Sequence, residues 1–198
     1  MKQGFVFGYG SLINKESRDK TEVSGEAIPI IARGIRRGWM IHMVDHGATA
    51  LSIVKKENAI CNGVVFPLIT ADGLASFDKR ECKVGYERIR VTLDAIPLGN
   101  KSLSKGTIWT YVSNYSQAPS EDMPVIQSYV DVIMTGCLRI GEDFAKEFVR
   151  TTHGWEGPWE NDRSAPRYER PMARDTSLEI RIDELLAETI PEHFAKRK

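Results

Sequence analysis

The sequence predicts an α+β protein whose core is a mainly antiparallel, barrel-like sheet of about six strands flanked by short helices. Two observations predict this class. Segments with the composition and alternation of strands follow one another from residue 5 to residue 112, with a single short helical segment before the last two. Two amphipathic helical segments then follow. Because helices do not alternate with the strands, a parallel sheet of βαβ units is not expected.

Glycines interrupt the first segments of the predicted sheet. Phe5 begins a short apolar strand that ends in FGYGSL, whose residues 8–12 we call the glycine turn. The polar residues 14–24 suit a surface loop or a short helix. From residue 27 to residue 43, many β-branched and aromatic residues, with two glycines among them, predict two strands or one bent strand with a bulge.

Four more strands are expected, at residues 50–54, 63–68, 86–93 and 106–112. The alternation of apolar and polar residues in 86–93 predicts a strand with one buried face. Before it, Thr70 or Asp72 can cap a short helix that runs through Glu81 and ends at Gly85.

The predicted helices follow a loop at residues 119–124. Apolar residues at helical spacing predict one helix that includes Tyr129 and a second that includes Phe148. After this second helix, the sequence becomes rich in Trp, Pro and Arg and loses its periodicity. We therefore predict a domain at residues 1–153 and a C-terminal arm at residues 154–198 that packs on the domain or on a partner subunit.

Composition and charge restrict the partners. Lys and Arg together number 27, as do Asp and Glu, so no overall electric field attracts nucleic acid or an anionic membrane. The three cysteines form no CxxC pair, which disfavours a zinc ribbon or a secreted disulfide scaffold. The N-terminus lacks the apolar segment of a signal peptide, and nowhere do roughly 18 apolar residues run together. The sequence therefore predicts a soluble, cytoplasmic protein that binds neither nucleic acid nor membrane.

The glycine turn is compatible with several functions. Gly8 and Gly10 form GxG, but Ile13 stands where a dinucleotide fingerprint has its third glycine, and no GKS or GKT completes a P-loop. Because glycine has no side chain to shield the backbone, the amides near Gly10 and Ser11 can point at a carboxylate or phosphate oxygen. A turn that only packs remains the alternative.

Two other groups of residues imitate reactive sites. His42, Asp45 and His46 have nearly the spacing of an inverted zincin motif, but such a motif needs a helix, and the surrounding residues predict strand and turn. Cys82 has cationic neighbours but no histidine nearby in sequence, so a buried, inert thiol is expected. Neither group is expected to form an active site.

Glu81 is the candidate for acid–base chemistry. In isolation it is one more solvated carboxylate paired with a neighbouring Lys or Arg. It lies, however, at the end of the predicted short helix, just before a turn at Gly85 and Tyr86 into a strand. A carboxylate at such a junction can be partly enclosed, which raises its pKa toward neutral pH and suits it to proton transfer.

These motifs together resemble a known family. FGYGSL is followed, in order, by RExxxGY at residues 80–86, by the strand GTIWTYV and by the segment PVIQSYVDVIMTGC. In this combination the sequence from Phe5 to Thr151 is similar to the gamma-glutamylcyclotransferase-like superfamily, and most similar to its FGYGSL-bearing, ChaC-like branch. The resemblance implies the catalytic domain of that superfamily for residues 1–153.

The resemblance also implies an enzymatic activity. In this superfamily the α-amine of a γ-glutamyl group attacks its own γ-carbonyl, and 5-oxoproline is released. The resemblance implies that Glu81 is the catalytic acid and base, that the backbone of the turn binds the γ-glutamyl group, and that two tyrosine hydroxyls line the pocket. The implied substrate-binding residues are Tyr9, Gly10, Ser11, Leu12, Tyr86 and Tyr129. No metal and no other cofactor is implied.

Several alternatives stay open. The substrate is expected to be a small γ-glutamyl compound, either glutathione, a γ-glutamyl amino acid or a γ-glutamyl amine. One alternative is a non-catalytic module of the same fold that binds small ligands in a stress response. Another is a cyclotransferase that removes a γ-glutamyl protecting group from a biosynthetic intermediate. Val84 stands where ChaC-like enzymes carry a first glycine, and the Arg-rich segment 154–175 can gate a pocket, dock a second subunit of a homodimer or stay solvated.

Overall fold

The computed structural model describes residues 4–70, 72–103 and 105–198, and at Val84 the backbone alone. Residues 1–3 of the N-terminal segment discussed above lie outside the described residues. Within the described ranges, no helix is both long and apolar enough to cross a membrane.

A seven-stranded sheet carries the fold. The strands in chain order are β1 (Gly4–Gly8), β2 (Ile28–Met43), β3 (Ala48–Pro67), β4 (Glu87–Val91), β5 (Asp94–Pro97), β6 (Thr107–Val112), β7 (Val125–Ile126), β8 (Thr152–His153) and β9 (Trp159–Glu160). The main sheet has the order β4-β6-β1-β3-β2-β5, and β8 also pairs with β2; β7 and β9 form a separate parallel pair. The pairs β1–β3, β2–β5 and β4–β6 are antiparallel, whereas β1 and β6 run parallel.

The helices complete an α+β fold. They are α1 (Lys15–Asp19), α2 (Gly73–Glu81), α3 (Gln127–Ile140), α4 (Glu142–Arg150), α5 (Thr176–Thr189) and α6 (Pro191–Phe194), with short 3-10 helices at Ser11–Ile13, Val44–His46 and Cys82–Val84. The predicted class and the mainly antiparallel sheet are confirmed. The strand path ends at β4 and at β5, so the sheet formed by the described residues does not close into a complete barrel.

The structure corrects several predicted strands. Residues 50–54 and 63–68 belong largely to one strand, β3, which is 20 residues long; the charged and exposed residues between them conceal its continuity. Of the two alternatives for residues 27–43, the structure has the single strand, β2, in which Gly34 lies in the left-handed region at φ 72°. β5 was not predicted. β4 is shorter than expected and mostly exposed, because it lies at the edge of the sheet.

The chain divides into two compact units. The first comprises Met1–Arg37 and Ser52–Asn114, and the second comprises Gly38–Leu51 and Tyr115–Lys198. The long strands β2 and β3 contribute residues to both units. The predicted boundary between residues 153 and 154 stays a prediction.

The first unit packs α2 against the central strands. Val6 of β1 is paired with Phe66 of β3, and both are fully buried. Phe77 of α2 is also fully buried, and its ring centroid lies 5.5 Å from that of Phe66. This aromatic contact anchors α2, which ends at Glu81, on the sheet.

Aromatic contacts organise the second unit. The ring centroid of Trp155 lies 5.1 Å from that of Trp39 and 5.0 Å from that of Trp159. The rings of Tyr129 and Tyr168 are 4.7 Å apart. Three of these residues, Trp155, Trp159 and Tyr168, come from the Arg-rich segment and are buried, so at these positions that segment is not solvated.

Charged residues join the helices of the second unit. Arg163 Nε lies 2.8 Å from Asp131 Oδ2 on α3, and its Nη1 lies 2.9 Å from Asp183 Oδ2 on α5. Arg197 donates a further hydrogen bond of 3.0 Å to Asp183. Burial alone raises the pKa of Asp183, but the hydrogen bonds and charges of Arg197 and Arg163 outweigh it, so this pKa lies below its usual value of 3.8.

We expect Phe77→Ala to lower the free energy of unfolding by about 3–5 kcal/mol, because it removes a fully buried ring and leaves a cavity beside Phe66. Urea denaturation at neutral pH measures this change. The control Ile69→Ala removes a side chain that is 61% exposed and should change stability by less than about 0.5 kcal/mol. Equal effects of the two substitutions would contradict the packing assigned to α2.

We expect Asp183→Asn to destabilise the protein by about 1.5–3 kcal/mol at pH 7, the usual range for hydrogen bonds to a charged group. Because the folded-state pKa is lowered, the stabilisation by Asp183 is present above about pH 3.9 and is lost as the pH falls further. The difference between wild type and variant in urea denaturation should therefore shrink below about pH 4. The exposed Asp143→Asn is the control, and a difference that grows on acidification would refute this assignment.

Candidate active site

The glycine turn follows β1 directly and is closely packed at its base. A Cβ atom placed on Gly63 of β3 would lie 2.6 Å from the carbonyl oxygen of Gly8, and one placed on Gly8 would lie 2.7 Å from Leu12 Cβ. Only glycine allows these approaches without a shift of the backbone. The turn is therefore held against β3 and is not a loose surface loop.

Tyr9 is anchored at both its backbone and its ring. Its carbonyl accepts a hydrogen bond of 3.2 Å from Arg37 Nη1, and its hydroxyl donates to the carbonyl of Tyr111 on β6. Arg37 is fully buried and also donates to the carbonyl and the side-chain oxygen of Asn62, at 2.6 and 3.0 Å. These contacts connect the turn to β2, β3 and β6.

Arg18 of α1 fixes the other end of the turn. Its Nη1 donates hydrogen bonds of 2.8 Å to the carbonyls of both Leu12 and Ile13. Burial lowers the pKa of Arg18 to about 10 in spite of the nearby charge of Asp19. Asn14 caps α1 by accepting from the amide of residue 16 at 2.9 Å. The short helix is confirmed, but Arg18 and Asn14 are buried and do not belong to a polar surface.

Every carbonyl group from residue 9 to residue 13 accepts a hydrogen bond within the protein. Arg37 Nη1 donates to the carbonyl of Tyr9, and Arg18 Nη1 donates to those of Leu12 and Ile13. The carbonyls of Gly10 and Ser11 accept from the amides of residues 13 and 14. A trans peptide points its N–H away from its carbonyl, and the first N–H groups of a helix have no acceptor inside that helix. In these peptides the N–H group therefore points away from the internally bonded carbonyl, and the binding of an anion by the amides of Gly10, Ser11 and Leu12 stays a prediction.

Glu81 is the last residue of α2, and its side chain is 12% exposed. Gly85, at φ 84°, ends the following 3-10 turn in the left-handed region, and the amide of Tyr86 donates to the carbonyl of Glu81 at 3.3 Å. Arg80 Nε lies 3.0 Å from Glu81 Oε1. The predicted enclosure of this carboxylate is present, and so is the pairing with a neighbouring Arg that the alternative interpretation gave, although the carboxylate is not solvated.

Arg80 also contacts the glycine turn. Its Nη2 donates a hydrogen bond of 3.0 Å to Ser11 Oγ. The structure thus brings together Glu81 and Ser11, which are far apart in sequence, through a single guanidinium group. Tyr9, Gly10 and Leu12 belong to the same turn, and the buried Tyr86 follows the same helix.

Tyr111 and Asp78 extend this cluster. Tyr111 is 2% exposed, and its hydroxyl donates to Asp78 Oδ1 at 3.0 Å. Arg88 Nη1 lies 2.7 Å from Asp78 Oδ2. Burial raises the pKa of Tyr111, the hydrogen bond to Asp78 raises it further, and the negative charges of Asp78 and Glu81 add to this effect. The hydroxyl therefore stays protonated at neutral pH beside two carboxylates.

Tyr129 lies in the second unit, on α3, where its ring centroid is 5.8 Å from that of Trp39. Tyr86 is in the first unit with Glu81. The roles of both tyrosines as pocket hydroxyls stay predictions.

Sequence reasoning missed four residues of the cluster: Arg37, Asp78, Arg80 and Tyr111. The spacing of Asp78 and Glu81, three residues apart on one helix, places them on the same face and was a usable signal. Tyr111 follows the buried Thr110 in β6. Because successive side chains of a strand point to opposite faces, Tyr111 lies on the face opposite to Thr110. Arg37 alternates with Ile35 and Trp39 in the strand, so its place on their buried face was a usable signal.

The other groups considered in the sequence are placed differently. His42 lies in β2, and its Nε2 is 2.8 Å from the carbonyl of Ala118, whereas Asp45 and His46 lie in a 3-10 helix. Among the residues that the structure describes, no group of three or more His, Cys, Asp or Glu side chains is arranged to hold a metal ion. Cys82 is exposed at the end of α2, not buried as expected.

Solved structures support the fold. One called gamma-glutamyl cyclotransferase is 14% identical, covers 92% of this chain and 99% of its own, and has a TM-score of 0.59. A human protein described as uncharacterized is 16% identical over 92% of this chain and 99% of its own, with a TM-score of 0.58. YkqA from Bacillus subtilis is 16% identical over 76% of this chain and 54% of its own, with a TM-score of 0.57.

The sequence itself was compared with protein families and with curated proteins. No curated protein sequence matches this chain. The model of the family described as gamma-glutamyl cyclotransferase, AIG2-like, matches residues 6–129, which is more than half of the chain and includes both the glycine turn and Glu81. The chain therefore belongs to the gamma-glutamyl cyclotransferase, AIG2-like family.

Proposed function

We propose that this protein is a gamma-glutamyl cyclotransferase that acts on a small γ-glutamyl compound, either glutathione, a γ-glutamyl amino acid or a γ-glutamyl amine. The products are 5-oxoproline and the free amine. One observation carries the proposal: the enclosed carboxylate of Glu81 is joined through Arg80 to Ser11 of the glycine turn. Family membership and a structural neighbour named gamma-glutamyl cyclotransferase support the same reaction class.

The first step requires an ionised base. The α-amine of a γ-glutamyl group is mostly protonated at neutral pH, because a peptide α-amino group has a pKa of about 8 and the free α-carboxylate beside this amine raises its pKa further. Glu81 accepts a proton from this ammonium group and leaves a nucleophilic amine. The positive charge of Arg80, 3.0 Å from the carboxylate, favours the ionised form that can accept the proton.

Ring closure requires the substrate to fold back on itself. The nitrogen forms a bond to the γ-carbonyl carbon, and the carbonyl electrons move to the oxygen to give a tetrahedral oxyanion. The amides of the glycine turn hold the γ-glutamyl group in this bent conformation, which removes much of the entropic barrier. The Ser11 hydroxyl accepts from Arg80 and can therefore direct its own proton to a substrate oxygen.

Collapse of the intermediate completes the reaction. The oxyanion reforms the carbonyl, the bond to the leaving nitrogen breaks, and protonated Glu81 gives its proton to that nitrogen. The ring nitrogen loses its second proton through the regenerated carboxylate to the leaving amine, which departs as an ammonium ion, and the neutral lactam remains. The carboxylate is thereby regenerated, and no water, metal or oxidant is consumed in this sequence of steps. One side chain serves as base and then as acid.

Glu81→Gln should lower the rate of 5-oxoproline formation by about 10²–10⁴-fold, the usual contribution of general acid–base catalysis. The amide keeps an oxygen that can face Arg80, so the variant should fold. Mass spectrometry of reactions with a panel of γ-glutamyl substrates measures the product. Glu87→Gln, an exposed carboxylate on β4, is the matched control and should keep the wild-type rate. Equal rates for wild type and Glu81→Gln would refute the role of Glu81.

The same panel separates the alternatives. Calorimetric binding of a γ-glutamyl ligand to the wild type without any 5-oxoproline would favour a non-catalytic binding module over an enzyme. Turnover of bulky γ-glutamyl amines alone would favour removal of a protecting group. Turnover of glutathione or of a γ-glutamyl amino acid supports the proposal.

A further inference from the structure

We infer that Arg80 is a positioning residue that holds the carboxylate of Glu81 in its ionised form at a fixed place relative to Ser11 of the glycine turn. The inference rests on the proposed function for its catalytic consequence, but it concerns a geometric and electrostatic role that can be measured without substrate. Arg80 itself touches neither the reacting amine nor the γ-carbonyl in this scheme.

The guanidinium group has acceptors on every side. Its side chain is 6% exposed, and Nε faces Glu81 Oε1 at 3.0 Å. Nη2 donates to Ser11 Oγ at 3.0 Å and to Ser17 Oγ at 3.1 Å. Nη1 donates to the carbonyl of Ser17 at 2.7 Å and to Thr21 Oγ1 at 2.8 Å. Five contacts thus match the five N–H donors of an arginine.

This arrangement depends on the shape of arginine. The guanidinium is a rigid plane whose donors point in fixed directions, whereas a lysine has one ammonium group with three donors. Ser17 and Thr21 hold one edge of the plane, and Ser11 and Glu81 receive donors from the same plane. The orientation of the plane therefore fixes the place of the carboxylate relative to the turn.

The charges around Glu81 determine how strongly its ionised form is favoured. On its own helix, Asp78 lies one turn earlier and is paired with Arg88 of β4 at 2.7 Å. Tyr111 of β6 donates to Asp78 and stays neutral. Asp78 disfavours the ionised form of Glu81, whereas Arg80, whose Nε lies 3.0 Å from Glu81 Oε1, favours that form. Removal of the charge of Arg80 should therefore raise the pKa of Glu81.

The decisive experiment compares Arg80→Gln and Arg80→Lys with wild type and with the exposed control Arg90→Gln. The protein is labelled with glutamate carrying ¹³C at the carboxyl carbon, and the Glu81 signal is identified by its loss in Glu81→Gln. NMR titration then gives the pKa of Glu81 in each protein. For catalysis, kcat and KM for 5-oxoproline formation are measured from pH 5 to pH 9.

Arg80→Gln should raise the pKa of Glu81 by about 1–3 units and move the acidic limb of the kcat profile to higher pH by the same amount. Arg80→Lys should leave that pKa within about half a unit of wild type, because the charge remains, yet lower kcat by about 10²-fold with little change in KM, since the carboxylate is displaced. Arg90→Gln should match wild type in both measurements.

The results separate this inference from the proposed function. If the wild type forms no 5-oxoproline, the proposed function fails, and the titration still tests the effect of Arg80 on Glu81. An unchanged Glu81 pKa in Arg80→Gln overturns the inference whether or not the protein is active. If Arg80→Gln does not fold, a wild-type kcat in Arg80→Lys overturns the positioning role. A loss of stability without any shift in pKa or kcat would show that Arg80 only packs.

Discussion

The backbone carbonyls of the glycine turn need hydrogen-bond donors, because an unpaired carbonyl buried away from water costs free energy comparable to a lost hydrogen bond. Arg37 donates to the carbonyl of Tyr9 and Arg18 to that of Leu12, and Arg18 also donates to the carbonyl of Ile13, just after the turn. Arg37 and Arg18 are 0% and 3% exposed, respectively, so their guanidinium groups need several acceptors within the protein. The arginines thus supply the donors that the carbonyls need, and the carbonyls supply acceptors that the arginines need. The N–H groups of the same peptides point away from these internally bonded carbonyls, and their binding of a ligand stays a prediction.

The same interactions determine how the first unit is assembled. Arg37 lies on β2 and donates both to Tyr9, just after β1, and to Asn62 on β3. Gly63, next to Asn62, lets β3 approach the carbonyl of Gly8 at a distance that no Cβ atom would allow. The hydrogen bond from Arg37 and the close approach to Gly8 therefore involve neighbouring residues of β3, Asn62 and Gly63. The turn is thus held by contacts with the strands at its base.

The success and failure of the sequence predictions follow from this arrangement. The glycine turn and Glu81 could be predicted because their signals are local: two glycines after an apolar strand, and a carboxylate at a helix end. The partners of the turn could not, because Arg37 and Asn62 are 25 residues apart in sequence. The course of β3 was hidden for a similar reason, since its exposed, charged middle is paired in a sheet that local composition does not reveal.

Arg80 is a third buried arginine that donates to several acceptors, one of which is the proposed base, Glu81. Enclosure disfavours the ionisation of an isolated carboxylate, but it also strengthens the attraction between Glu81 and a cation 3.0 Å away, because charges interact more strongly in a medium of low dielectric constant. When Glu81 takes up a proton, Arg80 loses an anionic partner but keeps its four hydrogen bonds to Ser11, Ser17 and Thr21. The guanidinium can therefore stay in place while the charge beside it changes. A residue that accepts a proton and then returns it to a leaving amine needs a neighbour of this kind.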